Sequence, residues 1–299
     1  IIPSAILYSL ISNLQMTSHV RHRRLPFNLL LSPLYLWGVL LAGGSFSEIE
    51  FWVGFVSLHI FLYGGGTAFN SWYDQDEGPI GGMAEPPPTE AGLLAFSLGW
   101  QALGLVLALW IGGSFTLMWL LIAVLMVLYS HPAVRLKARP VPALLAVALG
   151  QGGIGFAVGW LIVRPALESL LRPSALVGMA TTALIVTGLY IVTQSYQTAE
   201  DAARGDRTLP MLLGPRRALY VALGLLGVGG TMMLLVIGDR FGVGWAVALA
   251  GLLSLSGLAL LRWAAHIESW SVLQNYRTAM RIVLFSSAGL SAFLLYHLL

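Results

Sequence analysis

The chain has 299 residues, 57% of them hydrophobic and 10% charged, with a formal net charge of +3. Charged residues make up about a quarter of an ordinary soluble domain, so this composition excludes one and points to a helical membrane body. The absence of cysteine excludes disulfides, thiolate metal sites and a cysteine nucleophile.

Ile1 to Gln15 lack the basic start of a signal peptide, whereas Met16 is followed by TSHVRHRR, so translation is expected to begin at Met16. Apolar stretches then run over residues 26–43, 49–70, 91–111, 114–130, 141–163, 174–195, 216–237, 241–261 and 281–298. Each can cross about 30 Å of hydrocarbon at about 1.5 Å per residue, the first and fourth only barely. Residues 91–134 contain no Asp, Glu, Lys or Arg and are too long for one span, and Gly112-Gly113-Ser114 divides them. The expected fold class is all-α: nine transmembrane helices forming a single domain over residues 1–299, with 1–15 upstream of the expected start.

Numbered from an inside N-terminus, the even loops and the N-terminal segment hold Arg21, Arg23, Arg24, Arg135, Lys137, Arg139, Arg204, Arg207, Arg216, Arg217, Arg262, Arg277 and Arg281. The opposite side holds only Arg164, Arg172 and Arg240. Thirteen against three predicts a cytoplasmic N-terminus and an outside C-terminus. The expectation is a multi-pass integral membrane protein, with a bacterial inner membrane as its location.

Eight of the thirteen acidic residues fall in two loops of the basic side: Asp74, Asp76, Glu77, Glu85 and Glu90 after helix 2, and Glu200, Asp201 and Asp206 after helix 6. Any one of them alone reads as a solvated loop charge; two clusters do not. In FNSWYDQDEGPIGG, helix 2 is expected to continue to Gly78-Pro79, which places Asn70, Asp74 and Glu77 on one face and turns Asp76 elsewhere. In YQTAEDAARGDRTLP, Gln197, Glu200, Asp201 and Arg204 share a helical face until Gly205 ends the turn. Oxygen donors without His or Cys suit hard cations, and Mg²⁺ is commonly held by one or two carboxylates together with substrate phosphate oxygens. In YSHPAVRLKARP, after helix 4, Arg135, Lys137 and Arg139 alternate, so an extended segment points all three the same way. Arg139 reads as an ordinary positive-inside residue.

At these three segments the sequence resembles the UbiA superfamily of intramembrane prenyltransferases, and the likeness covers essentially the whole chain. The resemblance implies transfer of an isoprenoid chain from a prenyl diphosphate to an aromatic or other lipophilic acceptor, with Mg²⁺ held by the two acidic motifs. The family's first pattern, NDxxDxxxD, falls on Asn70, Ser71, Asp74 and Gly78, so Asn70 and Asp74 match while Ser71 and Gly78 replace aspartates. In the second, DxxxD falls on Gln197 and Asp201, and only Asp201 is kept. GGMAEPPP stands where the family has an Arg-Pro stretch.

The resemblance assigns the metal side to Asn70, Asp74, Glu77, Gln197, Glu200, Asp201 and Asp206. It gives the diphosphate to Asn70, Arg135, Lys137, Arg204 and Arg207, with Asp74, Asp201 and Lys137 as catalytic residues. Guanidinium groups offer paired donors to phosphate oxygens. A departing diphosphate is neutralised electrostatically, and the resulting carbocation needs a dry cavity with aromatic faces. Tyr129, Tyr196 and Gln151 are near enough to the motifs to reach such a pocket.

Other features read as structure. GQGGIGFAVG lies within helix 5 with no strand before it, so it is close helix packing, not a nucleotide loop. The only lysine, Lys137, is in no phosphate-binding loop motif, no GxSxG elbow occurs, and no nucleic-acid partner is expected. His59, near mid-span of helix 2, is expected to hydrogen-bond a neighbouring helix. Two alternatives stay open on the same scaffold. One is a membrane terpene cyclase, in which the substrate's own double bond captures the cation. The other is a non-catalytic prenyl-lipid binder or transporter; the charge clusters at helix ends, away from the bilayer midplane, disfavour transport, while the three replaced aspartates keep a binder open.

Overall fold

A computed structural model describes residues 18–299, so the expected start at Met16 lies outside the described residues. Nine helices among them are long and apolar enough to cross a membrane: α1 (Ser18–Ala42), α2 (Ile49–Asp74), α3 (Leu93–Ile111), α4 (Gly113–Ser130), α5 (Pro140–Val163), α6 (Pro173–Gln194), α7 (Pro215–Phe241), α8 (Val243–His266) and α9 (Val272–Leu298). No strand occurs among the described residues, only an isolated antiparallel bridge between Ile80 and Met83. The exposed flanks of α3, α4, α7 and α8 carry Leu103, Val106, Leu109, Leu120, Leu235 and Val247. Apolar side chains on that scale are a surface for lipid.

The tight connections rest on glycine. Gly112 between α3 and α4 has φ 140° and Gly242 between α7 and α8 has φ 101°, conformations at which a Cβ clashes with the backbone. α9 starts at Val272, earlier than the expected 281, because Ser271 and Gln274 form a reciprocal cap: the Gln274 N–H donates to Ser271 Oγ and the Ser271 N–H donates to Gln274 Oε1. Hydropathy records only the part of a helix that lies in hydrocarbon, whereas this cap sits one turn before Arg277.

α1 packs on α5, α2 on α3, and α6 on both α5 and α7. The α1–α5 crossing is set by two glycines. A Cβ on Gly38 would lie 2.2 Å from Phe156 O, and one on Gly159 would lie 2.1 Å from Tyr35 O. Backbones meet there with no room for a side chain, and Tyr35, Trp37, Phe156 and Trp160 close the core around them. Wide π-helical turns interrupt α2 at Val56–Leu62 and α5 at Ala148–Ile154; such turns re-aim the side chains that follow. His59 lies in the first of them. Its Nδ1 donates to Phe55 O at 3.2 Å on its own helix, the Leu31 main chain of the neighbouring α1 also bears on it, and its ring is stacked on Phe55 and met edge-on by Tyr35 and Tyr63.

Gly159→Val is expected to force α1 and α5 apart, an overpacking loss of about 1–3 kcal/mol or more. Thermal unfolding in detergent followed by tryptophan fluorescence reads this directly, and an unchanged midpoint refutes the crossing as described.

Candidate functional site

The end of α2 departs from expectation in a way that decides the site. The helix stops at Asp74, and Gln75 takes up the left-handed conformation with φ 51°, before Gly78-Pro79 is reached. A non-glycine residue there costs about 1–2 kcal/mol. The reversal turns Asp76 inward, where its side chain is 5% exposed, and leaves Glu77 exposed. The helical face that grouped Glu77 with Asn70 and Asp74 therefore does not form, and Asp76, expected to point elsewhere, takes the inward position.

Beyond α6, a short helix Thr198–Ala203 carries Asp201 inward. Glu200, on the same helix, does not follow it. Its Oε1 accepts the N–H groups of Glu77 at 3.2 Å and Gly78 at 2.6 Å, while Gln197 Nε2 donates to Pro79 O at 3.2 Å. Glu200 thus clamps the two acidic loops to each other. Gly205, with φ 76°, then reverses the chain and buries Asp206.

The connection between α4 and α5 is a tight turn, not the expected extended segment. Arg135 is left-handed with φ 44° and Leu136–Ala138 form one 3₁₀ turn. Arg135 and Lys137 still point at the acids, and Arg139 is exposed. Arg207 joins this turn through its main chain, its N–H donating to Ala138 O at 2.9 Å, and its side chain is exposed. A diphosphate role for the Arg207 side chain does not fit that position.

Together these turns make a network of ion pairs. Lys137 is in direct contact with an Asp74 oxygen, and Arg204 with Asp76. Arg204 also reaches Asp201 at 2.8 Å, and Arg135 grips Asp206 with two hydrogen bonds of 2.8 and 3.0 Å. Arg24, absent from the sequence-based site, is 8% exposed at the break in α1. It too is left-handed, with φ 46°, and its Nη2 donates to Ser71 Oγ at 2.7 Å. The signals for Arg24 were its place just before Pro26 and the serine that replaces an aspartate at 71.

Burial sets the electrostatics. It raises the pKa of Asp76, with the Asp74 charge adding to the effect and Arg204 opposing it. It pushes Asp201 up to about 6, against the pull of Arg204. It lowers Lys137, against Asp74. For Arg204 burial works against the charge, yet Asp76, Asp74 and Asp201 outweigh it and hold the guanidinium above its ordinary value. The hydrogen bonds from Arg135 to Asp206 raise Arg135 likewise.

The network forms the mouth of a cavity of about 230 Å³. Its polar rim includes Arg24, Asn70, Asp74, Asp76, Lys137, Gln197, Asp201, Arg204, Asp206 and Thr208, and its deeper wall Leu30, Ile122, Leu125, Met126, Val147, Gly150, Gln151, Val186 and Leu189. Tyr129 and Tyr190 join their hydroxyls at 2.7 Å across this wall, and Gln194 Nε2 donates to Tyr190 Oη. Tyr196 packs instead on Tyr276, outside the lining. Asn70 is held by Nδ2 donating to Ser130 Oγ at 3.1 Å.

Four buried carboxylates with the rim amides of Asn70 and Gln197, and no imidazole in the lining, fit a hard divalent cation by donor chemistry. Among the described residues no three acidic or histidine side chains cluster in metal-holding geometry, because each of these carboxylates faces an ammonium or guanidinium.

A polytopic helical membrane protein with an ionised mouth over an apolar cavity is the class these elements define. The sequence profile of the UbiA prenyltransferase family matches residues 31–295, and the chain belongs to that family and is a prenyltransferase. A digeranylgeranylglyceryl phosphate synthase of Natronomonas pharaonis is 30% identical over 240 residues, 77% of this chain and 81% of that protein. A UbiA homologue from Archaeoglobus fulgidus bound to GPP and Mg²⁺ is similar in fold, with a TM-score of 0.58 at 17% identity over 92% of this chain and 100% of the other. An apo UbiA homologue from Aeropyrum pernix K1 has a TM-score of 0.64 at 19% identity, over 92% and 98%.

Two measurements test the site as built. Glu200→Ala removes the acceptor of two loop N–H groups and is expected to cost about 1 kcal/mol and speed proteolysis within residues 75–92, whereas Glu200→Gln keeps an acceptor oxygen and most of the protection. The second concerns Asp201, whose pKa is raised from 3.8 to about 6. The folded chain therefore holds this proton more tightly than the unfolded one, and the stability it contributes is full below 3.8 and lost as pH rises through about 6. The thermal midpoint of the protein is expected to fall relative to Asp201→Asn across that window; parallel pH profiles refute the assignment.

Proposed function

We propose that the chain transfers an isoprenoid group from a prenyl diphosphate to a lipophilic acceptor in a Mg²⁺-dependent reaction, at a site facing the cytoplasm. The observation that carries this reading is the convergence of the α2 and α6 ends, with the α4–α5 turn, on the mouth of one apolar cavity. Such a mouth suits a diphosphate and such a wall suits its hydrocarbon tail. The thirteen-to-three bias of basic residues toward the side of these loops supports the cytoplasmic orientation.

In this reading the allylic C–O bond breaks and the diphosphate leaves with the bonding electrons. Lys137, Arg135, Arg204 and Arg24 neutralise the leaving group from the mouth, the guanidinium groups with paired donors. Bound Mg²⁺ supplies Lewis-acid neutralisation of the diphosphate oxygens, and Asn70, Asp74, Asp76, Gln197, Asp201 and Asp206 are the donors that would hold it. The Tyr129 ring, with Lys137 Nζ 5.9 Å from its centroid, stands between the charged rim and the apolar wall, where an aromatic face can stabilise a developing carbocation. The acceptor then bonds to the cationic carbon and loses a proton to complete the transfer. The name of the Natronomonas pharaonis relative makes a prenylated glyceryl phosphate one acceptor class for the assay.

Asp74→Ala and Asp201→Ala are expected to lower turnover by roughly 10²–10³ or more while elution and helical content stay unchanged. The assay is Mg²⁺-dependent diphosphate release with product analysis, run with and without acceptor. Full activity in either variant removes that residue from the site; acceptor-independent cyclic products identify a cyclase; no diphosphate release under any condition leaves a binder.

A further inference from the structure

The charged mouth contains Asp74, Asp76, Asp201 and Asp206 against Arg24, Arg135, Lys137 and Arg204, four against four. It is formally neutral with no metal in place, and each carboxylate is already engaged by an ammonium or guanidinium. A divalent cation entering alone would have to displace buried cations and leave them without partners, which is costly at side-chain exposures of 8% for Lys137 and 21% for Arg204.

Arg24 differs from the other three. Its hydrogen-bond partner at position 71 is a serine, no carboxylate among the described residues lies within ion-pair distance of it, and it lines the cavity beside Asp74 and Asp76. A buried guanidinium that lines the cavity with no carboxylate of its own calls for an anion. An incoming diphosphate offers that anion, and its oxygens compete with Asp74, Asp76 and Asp201 for Lys137 and Arg204 as well.

Resting on the transferase reading above, we propose that this site works by ion-pair exchange. The diphosphate docks on Arg24 and draws Lys137 and Arg204 off their aspartates, and only the carboxylates so released take up Mg²⁺ together with diphosphate oxygens. The empty site binds no metal. Mg²⁺ is commonly bound through one or two carboxylates plus substrate phosphates, which is the donor set the exchange produces. Because binding free energies are reciprocal, metal and diphosphate each tighten the other.

The test is equilibrium dialysis of the purified full chain in detergent against Mg²⁺, with bound metal counted by atomic absorption. The probe is geranyl diphosphate carrying sulfur in place of the bridging oxygen, which does not ionise. The expected result is no metal retained by the protein alone, uptake with the analogue present, and an apparent Mg²⁺ affinity tighter on the order of tenfold or more. Arg204→Ala frees Asp76 and Asp201, so the empty variant is expected to retain Mg²⁺ by itself; Lys137→Ala, which leaves Asp74 only its longer 3.6 Å pair with Arg135, is the second variant should the first fail to fold. Metal retained by the empty wild-type protein, or equal affinity with and without the analogue, overturns the exchange and leaves the transferase reading standing. Failure of both variants to retain Mg²⁺ also overturns it. Analogue binding with no metal uptake in any protein overturns the exchange and the Mg²⁺ dependence together.

Discussion

The contact between Asp76 and Arg204 ties the two acidic segments of this protein into one site. Asp76 belongs to the residues just after α2 and Arg204 to those just after the short helix beyond α6, and no other charge pair spans those two segments. The pair exists because Gln75 reverses the backbone one residue after Asp74, at a conformational cost that the surrounding contacts offset. Glu200 and Gln197 reinforce it from outside by holding the main chain at 77–79. Arg204 then reaches Asp201, and the mouth closes over the cavity.

Among the described residues the non-glycine positions with positive φ are Arg24, Gln75 and Arg135, and all three lie at this mouth. Backbone strain of that kind persists only where packing over-determines it, and its concentration here matches a site that must aim charged groups inward at the membrane boundary. A regular continuation of α2 past Asp74 would turn Glu77 in place of Asp76.

The acidic pattern that the sequence resembles is incomplete in this chain, and other side chains stand near the replaced positions. Ser71 receives Arg24 where an aspartate would stand, and Asp76 supplies a carboxylate two residues before the lost one at Gly78. Gln197 turns part of its amide to the loop main chain, and Asp206 enters from beyond Gly205. Four carboxylates stand against four cations, so the mouth is formally neutral, and the ion-pair exchange proposed above rests on that balance.

Much of the architecture was legible in the sequence because it depends on composition over long windows. The nine apolar spans, the division at Gly112 and the glycine packing of α5 against its neighbours follow from hydropathy and small-residue patterning. The grouping of Asp74, Asp201, Arg135, Lys137 and Arg204 was likewise visible, since each lies within a few residues of a helix end. The reversed roles of Asp76 and Glu77, the diversion of Glu200 to a loop clamp, the outward turn of Arg207 and the presence of Arg24 were not. Those outcomes depend on single left-handed residues and on contacts between segments from 47 to 128 positions apart. Local periodicity carries no record of either, and only the folded chain decides which of two adjacent acids faces inward.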